Sequence, residues 1–490
     1  FMAADQADTA VLIVSGRVIF DAFGRTTSAW YPTIEASTAA ATFNPAFDTI
    51  PETKTTYDIL DRQRSTVLPD GATTMMQYGF DTPTGGGMAF KTTVTDALAN
   101  EKEAYTDVRG RTRATKDNGP LGDIWTTYRY NGISELQDIT DNGGNVIAYT
   151  YDNFGRKRSV SHPDAGTTGF EYDLAGNMTK KITEYIRTVI PAGGAILYTY
   201  DHERLIKIDY PKHFQNKVQF HYGDSSALFN RVGRIVLQED ASGGQEFFYG
   251  PLGEVIKNIR TVLINEANVQ TFVSQYEYDT WNRIQAMYYP DGEKVEYFYN
   301  PAGKLQRMSG VKQGDSYTYV AQLGYDKFEQ RVFVEYGNNT ETRYEYEPDR
   351  RRLSHLDTRN LAGRTFIDND YAYDLVNNIS GITNKAPVPS NLQLGGSSRY
   401  EFTYDNLYRL SGAKGVWTGT NRRDTFALSM TYDSLHNITR KNQLHLRDSM
   451  PQPETHYDNT YLYAGARPHT PGKVGGMLFT YDLNGNLTEQ

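Results

Sequence analysis

The chain has no cysteine in its 490 residues, which excludes disulfides, thiolate metal sites and a thiol nucleophile. The redox compartment stays open, because a secreted protein can also do without cysteine. Long apolar runs are missing as well. The best, AVLIV at Ala10 to Val14, falls far short of the roughly 18 residues of a membrane span. The opening FMAADQADTA has no basic region followed by an apolar core, so it is not read as a secretory signal. Basic residues are in deficit, 50 against 59 acidic for a net charge of -9, which argues against nucleic acid or an anionic membrane as a partner bound by bulk charge. Helical periodicity is scarce. Only ALANEKEAY near Ala97 offers it, and that stretch is read as a loop or strand approach.

Constellations for chemistry are equally thin. His436, His445 and His456 are too far apart for a helical metal pair, and His162 and His202 sit at turns, so no metal site is expected. DNGGN at Asp141 to Asn145 lacks the remaining ligands of a calcium loop and reads as a hairpin turn. Gly85 to Gly87 follow no βα unit and precede no Lys-Ser/Thr, so they read as a flexible tip rather than a phosphate loop. No Gly-x-Ser-x-Gly elbow is present. The basic run DRRRL at Asp349 to Leu353 is expected to be a solvated loop. The Asn-x-Ser/Thr sequences at Asn177, Asn378, Asn437 and Asn486 coincide with turn segments and are expected to be bare.

Tyrosine is what the chain has in excess: 37, against 22 Phe and 4 Trp. It suits a sheet with one dry and one wet surface, since its ring packs across strands while its hydroxyl reaches water or a partner. The tyrosines also recur in a phrase. Copies begin YDNFGRKRSV at Tyr151, YDLAGNMTKK at Tyr172, YDTWNRIQAM at Tyr278, YNPAGKLQRM at Tyr299 and YDLNGNLTEQ at Tyr481, with others at Tyr325, Tyr373, Tyr404 and Tyr432. Weaker copies start at Phe20, Tyr57, Tyr130, Tyr200, Tyr249 and Tyr346. Tyr130, Tyr151 and Tyr172 follow one another at 21 residues, as do Tyr278 and Tyr299. Such self-similarity identifies a degenerate array.

Each unit reads as one hairpin. In Tyr-Asp-x-x-Gly-Asn/Arg-Leu the Asp opens a type I turn by accepting backbone N–H groups, and the Gly closes it in the left-handed conformation. A second signal, Pro-Asp-Gly at Pro69 to Gly71 and Pro290 to Gly292 with a relative at Pro163 to Gly166, makes the opposite reversal. Between them EKVEYFYN alternates, with Val295, Tyr297 and Tyr299 on one face and Glu296 and Phe298 on the other. The spacing predicts an all-β antiparallel meander of about 40 strands, near 200 Å along the strip, which must coil because sheets twist. Thr33 to Lys54, Thr383 to Ser398 and Leu446 to Gly476 are read as loops between repeats. The residues singled out are turn positions: Tyr151, Asp152, Gly155, Tyr172, Asp173, Gly176, Tyr278, Asp279, Tyr299, Gly303, Tyr481, Asp482 and Gly485. No catalytic, cofactor or metal residue is assigned, because acid–base catalysis needs one carboxylate pair distinguished from its copies.

With the Pro-Asp-Gly turn between them, these units resemble the RHS or YD repeats of bacterial polymorphic toxins, of the B and C components of Tc insecticidal toxin complexes, and of animal teneurins. SGRVIFDAFGRTTSAWYPT, TTYDILDRQRSTVLPDGATT and EAYTDVRGRTRA in the opening third look more like the Tc B component than a teneurin. The resemblance covers nearly the whole chain and implies one repeat segment over residues 1–490, less regular over 1–129 and clearer over 130–490. It implies a β-strip spiralling into part of a hollow shell that encloses and shields a toxic C-terminal polypeptide in a secreted bacterial complex. The expected partners are that polypeptide and the remaining shell segments or a translocation component. The family's Asp-Pro-x-Gly core, an aspartyl self-cleaving element, has no counterpart, since no Asp-Pro dipeptide occurs. The chain is accordingly read as a fragment of a larger protein. The alternative reading is a cell-surface adhesion or glycan-binding module that uses the same sheet as a recognition face.

Overall fold

The computed structural model describes residues 11–36, 44–190, 193–265, 268–388, 395–463, 465 and 467–490. The opening FMAADQADTA and parts of the three expected loops (37–43, 389–394, 464 and 466) lie outside the described residues. Strand makes up 58% of the chain and helix 2%. The chain groups into two compact units, one of Phe1–Asn145 with Gln322–Phe479, the other of Val146–Ala321 with Thr480–Gln490.

In the first unit the strands follow one another as nearest neighbours. Thr53–Tyr57 pairs with Gln63–Val67, and the ladder continues through Thr73–Asp81, Ala89–Thr95, Glu101–Thr106, Thr112–Gly119 and Gly122–Tyr130 to Leu136–Thr140. A later run in the same unit passes from Arg331–Tyr336 through successive antiparallel hairpins to Ile438–Arg447 and Tyr457–Leu462. The second unit repeats the pattern from Val146–Tyr151 to Leu305–Lys312 and adds the hairpin Thr480–Tyr481 with Leu487–Glu489.

Hairpin loops of one kind follow Tyr-Asp and are called YD turns here; the alternate ones are return turns. At the YD turns the register slips just before the tyrosine, as between Thr150 and Tyr151, Glu171 and Tyr172, and Phe298 and Tyr299. That slip is what a type I turn followed by a left-handed residue produces, because the extra residue bulges one strand. In the hairpin after Tyr151, the Asp152 N–H donates to the Arg156 carbonyl at 2.9 Å, and the Gly155 N–H donates to the Asp152 carbonyl at 3.0 Å. The left-handed position persists where glycine does not: Asn282, Glu329, Asn377, Tyr408 and His436 have φ of 59°, 64°, 77°, 64° and 66°. The turn thus keeps its left-handed position whatever residue occupies it.

Fully buried apolar side chains among the described residues are mostly small, such as Ala89, Ala114, Ala286 and Ala413, with Val295 and Val334 beside them. One cluster, Ala89, Tyr105 and Ala114 capped by Trp125, forms a thicker patch. Two departures from the sequence reading stand out. A short helix, Glu184–Val189, fills one return connection, with Thr183 as its N-cap and Ile186 buried. The stretch Leu446–Gly476, read as a loop, contains the strand Tyr457–Leu462, whose Tyr457, Asn459 and Tyr461 alternate inward. Its Asp458, Asn459 and Thr460 hid a period that only the neighbouring strand makes visible.

Left-handed strain gives a paired prediction. Gly176 has φ 93° with open space around it, so Gly176→Val meets no clash but is held in a forbidden region. It should lower unfolding stability by on the order of 1–2 kcal/mol. Ala99, at φ 63° in a return turn, should behave oppositely, with Ala99→Gly raising stability by up to about 1 kcal/mol in urea unfolding.

Candidate functional site: an edge of repeating turns

The turn residues converge on one interaction. The Asp279 carboxylate accepts the backbone N–H groups of Trp281 and Arg283 at 2.9 and 3.0 Å with one oxygen and the Arg283 Nε at 2.7 Å with the other. Asp152 does the same with Phe154, Arg156 and the Arg156 guanidinium, at 2.9, 3.0 and 2.7 Å. Where asparagine replaces the arginine, its amide takes the second oxygen: Asn177 on Asp173 at 2.9 Å and Asn486 on Asp482 at 3.0 Å. The sequon asparagines are thus engaged within the turns. Asn300 stands in for Asp in the Tyr299 copy and still accepts from Ala302 and Lys304 at 3.1 and 3.0 Å. Gly155, Gly176, Gly303 and Gly485 have φ of 77°, 93°, 80° and 82°.

From the turn the contact passes to the next repeat. The guanidinium of Arg283 lies over the Tyr299 ring at 4.2 Å, Arg156 over Tyr172 at 4.7 Å and Arg409 over Tyr432 at 4.5 Å. Each such tyrosine hydroxyl donates back to the preceding hairpin: Tyr299 to the Ile284 carbonyl at 2.7 Å, Tyr432 to Leu410 at 2.8 Å and Tyr172 to Lys157 at 2.9 Å. The same arginine also donates forward, Arg156 to the Asp173 carbonyl at 2.8 Å and Arg409 to the Asp433 carbonyl at 3.0 Å. Tyr151 and Tyr481 end their strands half-buried, opposite Lys157 and Leu487. The arginine's double role could have been read from its recurrence four residues after the Asp, a spacing that brings it back over its own turn.

Within the first unit, YD turns of the later run meet return turns of the earlier run. Arg350 Nη1 binds both oxygens of Asp70 at 2.9 and 3.1 Å, with side chains 7% and 16% exposed. Lys327 pairs with Asp48, Tyr408 donates to Asp96, and Asn406 donates to the Asn118 carbonyl. Tyr31 donates to the Asp349 carbonyl at 2.8 Å and meets Phe328 edge-on at 4.9 Å. These partners are 279 to 318 residues apart in sequence. Within the second unit, the Tyr185 N–H donates to Asn484 at 3.0 Å, and a Cβ on Gly485 would come within 3.0 Å of the Asp164 carbonyl. The arginine run at 349–353 is therefore not a solvated loop. Arg350 is held at the seam, Arg351 over Phe328 and beside Asp326, and Arg352 on Glu347 and the Asp374 carbonyl. The sequence reading failed because the partner carboxylates lie far away along the chain.

Two titratable clusters stand apart from the repeat. Glu103, 8% exposed, accepts the Tyr105 hydroxyl at 2.5 Å and pairs with Lys91 at 2.8 Å and Lys116 at 3.5 Å. The bond to Glu103 pushes the Lys91 ammonium up, and burial with the same carboxylate pushes the Tyr105 phenol to about 12. The ionised Glu103 carboxylate is thus tied up by two ammonium groups and the Tyr105 phenol. His355 faces Asp370 at 2.7 Å and Asp368 at 3.7 Å, a grouping of metal-ligand types. Both ring nitrogens already meet carboxylates, and Lys385 neutralises Asp370.

Folded-state protonation follows the turns. The Arg25 and Arg283 guanidinium groups and the Asn177 amide hold Asp21, Asp279 and Asp173 below the usual carboxylate range. A depressed folded-state pKa adds stability that is complete above the unfolded value of about 3.9 and lost as pH falls through the folded value. Urea-unfolding stability should therefore be level at neutral pH and decline below about pH 4. At the seam, Arg350→Ala strands the mostly buried Asp70 and should cost about 3 kcal/mol, whereas the exposed-turn change Arg109→Ala should stay within about 0.5 kcal/mol.

No protein-family profile matches the chain. It is 34% identical to the toxin subunit YenC1 of Yersinia entomophaga over 126 residues, 24% of this chain and 13% of that protein. It is 28% identical to the toxin protein Tse5 of Pseudomonas aeruginosa over 234 residues, 47% of this chain and 16% of that one. The crystal structure of TcdB2-TccC3 superposes on 97% of this chain with a TM-score of 0.79 at 17% identity, and this chain spans 27% of that one. At that identity the likeness concerns the fold, and it matches what the turns display: the chain has the RHS/YD-repeat β-fold and resembles Tc-toxin chains over nearly its whole described length.

Proposed function

We propose that the chain is a non-enzymatic wall segment of a secreted bacterial toxin complex, enclosing a toxic C-terminal polypeptide of the larger protein. The observation that carries this reading is the uniformity of the array. The same carboxylate, left-handed residue and tyrosine recur from turn to turn, and every Asp of the motif is engaged by its own turn rather than set aside for chemistry. A protein built so invests its sequence in an extended sheet. Extended sheet is what a container requires, because each hairpin shields its neighbour's edge and the two faces can differ in polarity. The fold-level likeness to TcdB2-TccC3 and the toxin names of the relatives favour the same role. The partners in this reading are the enclosed polypeptide and the other segments of the complex.

Limited proteolysis of the intact parent protein tests it. The C-terminal polypeptide should resist added protease at least about tenfold longer than the same polypeptide released by denaturation, since cleavage requires the wall to open. A cryo-EM map should show a low-density or cargo-filled interior. A solid particle with a packed core, or immediate digestion of the C-terminal polypeptide, would overturn the enclosure.

A further inference from the structure

The His355 cluster of the first unit lies on two adjacent strands, Leu353–Asn360 and Thr365–Tyr373, away from the repeating turns. The ladder sets His355 directly opposite Asp370 and Asp357 directly opposite Asp368. Because side chains two residues apart share a face, these four form a two-by-two block on one side of the sheet. All four are half-buried. One ligand-type atom from each of His355, Asp368 and Asp370 lies within 4.8 Å of the other two. Spacing along the chain conceals the set, because its members come from two strands.

The two ring nitrogens of His355 meet their carboxylates differently. Nδ1 stands 2.7 Å from Asp370, a hydrogen bond, whereas Nε2 stands 3.7 Å from Asp368, beyond hydrogen-bond reach. Donation to Asp370 places the ring proton on Nδ1 and leaves a lone pair on Nε2, the arrangement in which a carboxylate orients a metal-ligating imidazole. Two ligands of one tetrahedral zinc, each about 2.05 Å from the ion, stand about 3.4 Å apart, close to the 3.7 Å between Nε2 and Asp368. Charge points the same way. Lys385 engages Asp370, but among the described residues Asp357 and Asp368 have no lysine or arginine within hydrogen-bond reach. The Arg359 Nε is 3.7 Å from Asp357 and 2.5 Å from Glu341, and Arg343, opposite Asp357 on the other neighbouring strand, also binds Glu341. Like charges directly opposite in a ladder destabilise it, and a cation shared between them removes that cost.

We infer that His355 Nε2 and the Asp368 carboxylate hold a divalent transition-metal ion of the zinc class, with Asp357 across the ladder as third ligand and water completing the shell. Asp370 is the positioning residue that fixes the imidazole. Opposed side chains have their Cβ atoms about 5 Å apart, which lets Asp357 and Asp368 share one ion. One imidazole nitrogen with carboxylate oxygens suits zinc and its neighbours in the first transition row, whereas Ca²⁺ and Mg²⁺ require a fuller set of oxygens. The ion would link two consecutive hairpins through side chains, on the face of the sheet rather than at an edge.

Isothermal titration of the chelator-treated 490-residue chain with Zn²⁺ tests this. One ion should bind per chain, and millimolar Ca²⁺ or Mg²⁺ should not compete. His355→Ala and the isosteric Asp368→Asn should each weaken binding at least about tenfold while far-UV circular dichroism stays that of the parent. Asp370→Ala should weaken it about ten- to a hundredfold and shift the visible absorption of the Co²⁺-loaded chain, a change that lost packing alone would not produce. His221→Ala, whose ring meets the single carboxylate of Glu239 at 2.7 Å, should leave binding unchanged. If His355→Ala loses structure, Asp368→Asn carries the test. Absence of saturable one-to-one binding would overturn the inference. So would binding that survives the His355 and Asp368 changes, which would mark an adventitious ion only.

Discussion

The structure rests on a carboxylate that does two jobs at once. In most YD turns one oxygen of the Asp accepts two backbone N–H groups and the other binds the arginine or asparagine four residues on. The first job sets the turn and, through its left-handed residue, the register slip that lets the tyrosine leave the ladder at its own angle. The second holds a guanidinium rigid over the next tyrosine. Without the Asp the arginine would be a mobile surface cation, and stacking it would carry an entropic cost of about 2 kcal/mol. With it, the cation is already in place, and the cation–π contact of about 0.5–1 kcal/mol is gained with less side-chain ordering. Local turn chemistry and coupling between repeats are therefore one interaction.

That economy explains how so much sheet is built around such small buried side chains. Stability in a repeat array is close to a sum of intrinsic and nearest-neighbour terms. Here the neighbour term is polar and aromatic: tyrosine hydroxyl to the preceding hairpin, guanidinium to the following turn. Ala89 and Ala114, for example, pack with the Tyr105 ring and beside Trp125 rather than among interdigitated aliphatic side chains. Tyrosine is abundant for this reason. It packs like an aromatic along the strand and ends in a donor that reaches a carbonyl one hairpin back.

What could be read from the sequence was what lies within one repeat. Asp152, Gly155, Asp173 and Gly176 were assignable to turns because their spacing is local and their chemistry has few solutions. The alternation in EKVEYFYN is visible for the same reason, and Val295 is the buried member of that strand. Arg350 was misread because the partner that makes it a seam residue, Asp70, lies 280 residues away. The helix Glu184–Val189 was missed because six residues are too few to display a period, and its stability comes from the Thr183 cap and the burial of Ile186. The strand Tyr457–Leu462 was hidden by a polar composition that is typical of loops. In each case the deciding contact was tertiary, and one sequence carries no direct record of it.

The two positions between the turn Asp and its left-handed residue follow a different logic from the rest of the repeat. Because the turn is held by the residues on either side, those two positions are released from any folding duty and can answer to whatever the edge meets. At the seam they do: Lys327 meets a carboxylate, Asn406 a carbonyl, and Phe328 and Leu435 meet partners that half-bury them. Their variety across the copies, from Ile59-Leu60 to Thr280-Trp281 and Ser434-Leu435, is therefore information about neighbours rather than noise in a decaying repeat. A protein that separates turn formation from edge recognition in this way can lay one hairpin design along many hundreds of residues and still specify, turn by turn, where successive passes of the strip come to lie.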